Sequence, residues 1–205
     1  MRQGTVVLSG VLLAAALAGC SSPTTGKAEP AGRGSGPGAS TSAGSSGAPP
    51  VTKPLDTAKF QQNPCGVLTP AQLQLLRISK PGEPNGATQG PGCAWPDSGG
   101  TSKMSVHGTF IVKGDGLPGL YSRRGTYKVF EPIEIEGYPA VIASRSVDSR
   151  PDGMCDISIG VTEKLVYEVQ LLFNTGVEKP ADFNNPCGRA QTVAAEMIKT
   201  MKAGG

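Results

Sequence analysis

From Ser21 to Pro54 the chain consists almost wholly of Gly, Ser, Ala, Pro and Thr, with no aromatic residue and almost no large aliphatic. Such a stretch cannot bury enough apolar surface to offset the entropy of ordering it. It reads as a flexible tether with an end-to-end distance of roughly 30 Å. The core must therefore come from residues 55–205, a length suited to one domain.

Ahead of the tether, Arg2 supplies a minimal positive region, and an apolar run follows from Val6 to Ala18, interrupted by Ser9 and Gly10. The run is too short to span a bilayer but suits the core of a signal peptide. It closes with Leu17-Ala18-Gly19-Cys20, which resembles the lipobox read by lipoprotein signal peptidase. Residues 1–19 are thus expected to be a lipoprotein signal peptide, with Cys20 the lipidated residue at the head of the tether. Two acyl chains anchor stably where one myristoyl chain holds only marginally, at about 0.8 kcal/mol per buried CH₂. The expected location is the outer face of the cytoplasmic membrane, and the membrane is the first expected partner.

The net charge of +3 is mild, and Lys and Arg are scattered rather than striped. This leaves no electrostatic footprint for nucleic acid. With Cys20 set aside, Cys65, Cys93, Cys155 and Cys187 remain, an even number for an oxidising compartment, with three connectivities open. A zinc site would bring its ligands in close pairs, whereas each Cys here stands alone and the chain has one His. No metal or other cofactor is expected. Strand parity puts Cys155 on the face of Ile157, Ile159 and Val161, and Cys93 on the face of Trp95. On that basis a strand-to-strand bond Cys93–Cys155 is expected, with Cys65–Cys187 tying the ends of the domain together.

Leu68-Thr69-Pro70-Ala71-Gln72-Leu73 carries the signals of a helix start: Thr69 as N-cap, Pro70 at the first helical position, Gln72 completing a capping box, and a Leu68/Leu73 staple. The stretch to Gly92 reads as a loop. Residues 102–113 alternate, with Met104, Val106, Phe110 and Val112 on one face and Lys103, Ser105, His107 and Thr109 on the other. A strand follows near Glu131–Ile135, Glu136-Gly137 is a turn signal into a strand at Tyr138–Ser144, and Cys155–Val161 and Leu165–Phe173 read as a hairpin. A final helix spans about Pro186 to Lys202, capped by Asn185, with Val193, Ala194, Met197, Ile198 and Met201 as its apolar stripe. The expected class is α+β: an antiparallel sheet of about five to six strands covered by an N-terminal and a C-terminal helix.

These residues resemble an actinobacterial lipoprotein family, domain of unknown function 3558. The resemblance rests on Asn63-Pro64-Cys65-Gly66-Val67-Leu68-Thr69, Cys93-Ala94-Trp95 and Gly137-Tyr138-Pro139-Ala140-Val141. It continues through Cys155-Asp156-Ile157-Ser158-Ile159 and Asn185-Pro186-Cys187. It implies a location and a scaffold similar to the PsbP and Mog1 type of α-β-α sandwich, and it brings no catalytic residues to carry over.

Candidate chemistry is sparse. His107, the residue a Ser-His-Asp or Cys-His catalyst would need, falls on the polar face of its strand. Glu134 and Glu136 lie two apart and are expected to face the same way, a pairing that glycosidases use. Ile133 and Ile135 alternate with them as in any half-buried strand. Asp148, Asp152 and Asp156 surround a turn without the spacing of a calcium loop. Arg123 and Arg124, between Tyr121 and Tyr127, are the candidate contacts for an anionic ligand, and Trp95 is expected to pack on a disulfide. The expected function is a non-enzymatic accessory module that binds an envelope protein or a small ligand through long loops at 78–92 and 114–125. The alternatives are an envelope hydrolase using Glu134, Glu136 or His107, and a purely structural surface protein.

Overall fold

The computed structural model describes residues 46–86, 88–176 and 179–204. The expected signal peptide, Cys20 and most of the tether lie outside the described residues. Packing begins ahead of Leu55: Val51 is buried, its N–H donates to Glu163 Oε1 at 2.8 Å, and the N–H of Leu55 donates to the carbonyl of Val161.

Two short helices open the domain, α1 (Ala58–Gln62) and α2 (Pro70–Leu75), separated by a 3₁₀ turn at Pro64–Val67. The capping box at α2 is formed: the N–H of Gln72 donates to Thr69 Oγ1, and that of Thr69 to Gln72 Oε1. Its far end is closed by a Schellman motif, with Arg77 in the left-handed region (φ 61°). The Arg77 N–H donates to the Gln74 carbonyl, and the Ile78 N–H to the Leu73 carbonyl. The N-terminal cover is therefore not one helix but two short helices with turns between and after them, which place Phe60, Val67, Leu68, Leu76 and Ile78 in the core.

The strands are β1 (Glu83–Pro84), β2 (Gly92–Asp97), β3 (Met104–Ile111), β4 (Val129–Ile135), β5 (Tyr138–Ser144), β6 (Met154–Gly160) and β7 (Val166–Phe173). They form one antiparallel sheet in the order β1-β2-β3-β7-β6-β5-β4. The seventh strand beyond the expected count is β1, two residues inside the expected loop. Pro84 has no N–H to give, so it is tolerated at an edge. The β4–β5 turn is a two-residue hairpin in which Glu136 (φ 53°) and Gly137 (φ 87°) both take positive φ.

Two further helices are α3 (Gly116–Tyr121) and α4 (Pro186–Lys202). The first lies where a loop was expected. Gly116 is required there, because a Cβ would strike the backbone of Glu163 and Lys164 and its φ is 63°. Helix α4 begins at the expected cap, with Asn185 Oδ1 accepting the Gly188 N–H. Its stripe of Ala190, Val193, Ala194, Met197, Ile198 and Met201 is buried on the sheet face made by Val106, Phe110, Ile157, Ile159, Tyr167, Val169 and Leu171. The opposite face carries a smaller apolar cluster, in which Leu117 and Tyr121 of α3 pack on Val141 and Val166.

The disulfides join Cys65 to Cys93 and Cys155 to Cys187, with Cα separations of 5.0 and 5.1 Å. This corrects the expected Cys93–Cys155 and Cys65–Cys187 pairing. Parity was sound, since Cys93 and Cys155 are both buried on the core face beside Trp95 and Ile157. However, β3 and β7 stand between β2 and β6, a gap of about 14 Å at ordinary strand spacing, beyond what a disulfide bridges. Each strand cysteine instead takes its partner from the layer above it.

Non-reducing peptide mapping should yield only the Cys65–Cys93 and Cys155–Cys187 peptides from this domain. A Cys93–Cys155 peptide would contradict the strand order. Loop closure over 28 and 32 residues stabilises by up to about 3.7 kcal/mol per bond. The paired Cys155→Ser, Cys187→Ser variant should lose roughly 2–4 kcal/mol in urea denaturation.

Candidate functional site

Helix α3 is six residues long and covers only part of the sheet face opposite α4. Beside it lies a cleft of about 560 Å³. Its floor is made by outward-facing residues of four strands: Ile111 of β3, Val166 and Glu168 of β7, Asp156 and Ser158 of β6, and Ala143 of β5. One wall is formed by Lys113–Gly116, Leu120 and Arg123, the other by Tyr127 and the loop residues Arg145–Val147. The Arg145 guanidinium lies 5.3 Å from the centre of the Tyr127 ring. A smaller hollow of about 340 Å³ continues from Gln89 and Glu168 toward Gln170, Thr109 and His107.

The register explains the floor. Asp156 pairs with Gln170 and Ser158 with Glu168, so the two carboxylates sit diagonally on adjacent strands of one face. Asp156 Oδ1 is buried and has no hydrogen-bond partner. Burial pushes the Asp156 carboxyl above its ordinary value, with the Gln170 side chain opposing. Burial also pushes Glu168 up, and the neighbouring Asp156 charge adds to the effect. At the rim, Arg123 and Lys113 make no ion pair among the described residues.

The other candidates are dispersed. Arg124 does not line the cleft with Arg123; it lies near Tyr121 and Gly47. His107 faces the smaller hollow, with Nδ1 3.1 Å from Asn85 Nδ2. Glu134 is exposed on β4, the edge strand at the far end of the sheet. Glu136 does not share its direction, because it has left the strand for the turn and lies 3.7 Å from both Lys199 and Lys202 of α4. Asp148 pairs with Arg150 at 2.7 Å, which holds its carboxyl below the ordinary range, and Arg150 also reaches Glu131. Asp152 is an exposed turn residue. Only Asp156 of that trio enters the cleft, and among the described residues no group of three or more His, Cys, Asp or Glu could hold a metal ion. Trp95 is buried in the core with Cys93, as expected.

Glu168 was missed by the sequence reading, and its signal was present. Once Leu165, Tyr167, Val169, Leu171 and Phe173 face the core, Glu168 and Gln170 must face away, as must Asp156 and Ser158 on the partner strand.

A third carboxylate behaves oppositely. Asp97 is 1 % exposed; burial would raise it, but N–H and hydroxyl donors from Ser102 and Ser79 prevail and hold it below its ordinary value. Raised values in the folded state mean that it binds more protons than the unfolded chain just above 3.8 for Asp156 and 4.5 for Glu168. The contribution of these two groups to stability is thus fullest below those values and is lost as pH rises through the raised ones. That of Asp97 is present above 3.8 and is lost on acidification. The double variant Asp156→Asn, Glu168→Gln should be at least as stable as the parent at pH 7 and should lose less stability between pH 4 and 7. A net loss at pH 7 would contradict the geometry of the floor.

No helix among the described residues is long and apolar enough to cross a membrane. No curated protein and no solved structure matches the chain. Residues 15–200, which include every residue of the cleft and both disulfides, match the family described as Protein of unknown function (DUF3558), and the chain belongs to that family.

Proposed function

We propose that the chain is a non-enzymatic binding module of the cell envelope, held at the outer face of the cytoplasmic membrane by lipid on Cys20, and that it takes a small ligand in the cleft beside α3. The observation that carries this reading is the cleft itself. Its volume of about 560 Å³ falls within the ~300–1,000 Å³ of small-molecule sites. It is concave and mixed in polarity, and charged groups in its floor and rim are left without partners of opposite sign. Such groups are costly in a half-buried setting unless something completes them. The envelope location is supported by the leader ending in Cys20 and by two disulfides, which persist in oxidising compartments.

Native mass spectrometry of the protein released from its own host's envelope tests both halves. The expected result is a chain beginning at Cys20 with the added mass of its lipid, carrying a bound species of definite mass. Cys20→Ala should move the protein out of the membrane fraction. A bare monomer across several growth conditions would overturn the ligand-binding half, and an unmodified Cys20 would overturn the anchoring half.

A further inference from the structure

The charges of the cleft are largely sorted by depth. Asp156 and Glu168 lie in the sheet floor, while the walls carry Lys113, Arg123 and Arg145 against a single acid, Asp115. The two sets do not neutralise each other by ion pairing. The apolar side chains of Ile111 and Val166 line the cleft next to α3. Any ligand must satisfy this arrangement.

Three ligand classes fail on it. A neutral molecule filling the cleft would strip more water from two carboxylates that already repel each other, and would offer them no charge in return. An anion would meet the carboxylates at the deep end, and a polyamine would meet Lys113, Arg123 and Arg145 on its way in, which outnumber Asp115 on the walls. A zwitterion whose ammonium leads and whose acid group trails meets neither objection. Its ammonium replaces lost water with charge-assisted hydrogen bonds to the carboxylates, and its acid group suits the planar fork of an arginine. The cleft is also roomier than one free amino acid requires.

From this geometry we infer that the cleft binds a short peptide with free ends, its α-ammonium group held by Asp156 and Glu168 and its carboxylate by Arg123. Ile111 and Val166 contact the apolar part of the peptide, and the unpartnered Oδ1 of Asp156 is the atom that receives the ammonium. This inference rests on the cleft being a ligand site and adds the chemical class of the ligand.

The test is calorimetric titration of the full chain with a set of dipeptides X-Ala covering all side chains at the first position. The best binder is then compared with its N-acetyl and C-terminal amide derivatives. Amide NMR shifts locate the contact. The expected result is binding that perturbs the β6 and β7 resonances at Asp156 and Glu168, with affinity falling at least tenfold on N-acetylation. Asp156→Asn or Glu168→Gln should weaken the free dipeptide and shrink its advantage over the N-acetyl form. Arg123→Gln should remove the preference for the carboxylate over the amide. Two variants at the floor guard against one that fails to fold. No dipeptide binding, binding elsewhere, or an N-acetyl form that binds equally well would each overturn the inference. If that happens while the protein from its host carries another species in the cleft, the ligand class alone is wrong. If the protein from its host is also empty, the binding function falls with it.

Discussion

A twisted sheet has two faces, and each must be buried or made polar. Here the described residues include one helix longer than six residues, α4, and it covers one face. Ala190, Val193, Ala194, Met197, Ile198 and Met201 supply the cover, and the strands answer with Val, Ile, Leu, Tyr and Phe at alternate positions. The described residues have little apolar cover left for the second face. That face is apolar under α3, where Leu117 and Tyr121 meet Val141 and Val166, and mainly polar beyond it, although Leu172 lies exposed at the end of β7. The cleft is what remains where a short helix stops and the sheet continues.

The disulfides follow from the same layering. Both run between the sheet and the segments lying over its core face, one to the turn at Cys65 and one to the first turn of α4 at Cys187. They hold the cover on the sheet at its two ends. No disulfide ties down the face that carries the cleft. Its shape depends on the packing of α3, on the glycine contact at Gly116, and on the Asp148–Arg150–Glu131 network that fixes the turn after β5.

What could be read from the sequence was what depends on local periodicity and capping. The Thr69 box, the span and stripe of α4, and the inward parity of β3, β6 and β7 are consequences of neighbouring residues, and the structure has them, except that Val112, expected on the core face, lies past the end of β3 and is exposed. Lateral strand order depends on contacts between residues distant in sequence, so parity could show that Cys93 and Cys155 face the core but not that two strands separate them. Helix α3 was hidden because Gly116, Pro118 and Gly119 read as a loop, whereas Gly116 serves close packing against the β6–β7 turn. Arg77 closes α2 without the usual glycine; the Glu136-Gly137 turn lies where its residues put it, and because Glu136 belongs to that turn it does not continue the alternation of Glu134. Within the site, Arg123 was legible as a candidate ligand contact, although its neighbour Arg124 points to other company. Asp156 and Glu168 become visible only when the two strands are set in register.

The cleft floor holds two carboxylates, Asp156 and Glu168, that have no ion-pair partner among the described residues. Carbon-detected NMR titration of the side-chain carboxyl groups reads each of them separately. Asp156 and Glu168 should titrate above their ordinary values and Asp97 below, and replacing Asp156 by Asn should lower the value of Glu168. Ordinary values at both floor positions, unmoved by that substitution, would mean a solvated and uncoupled floor and would contradict this picture of the cleft.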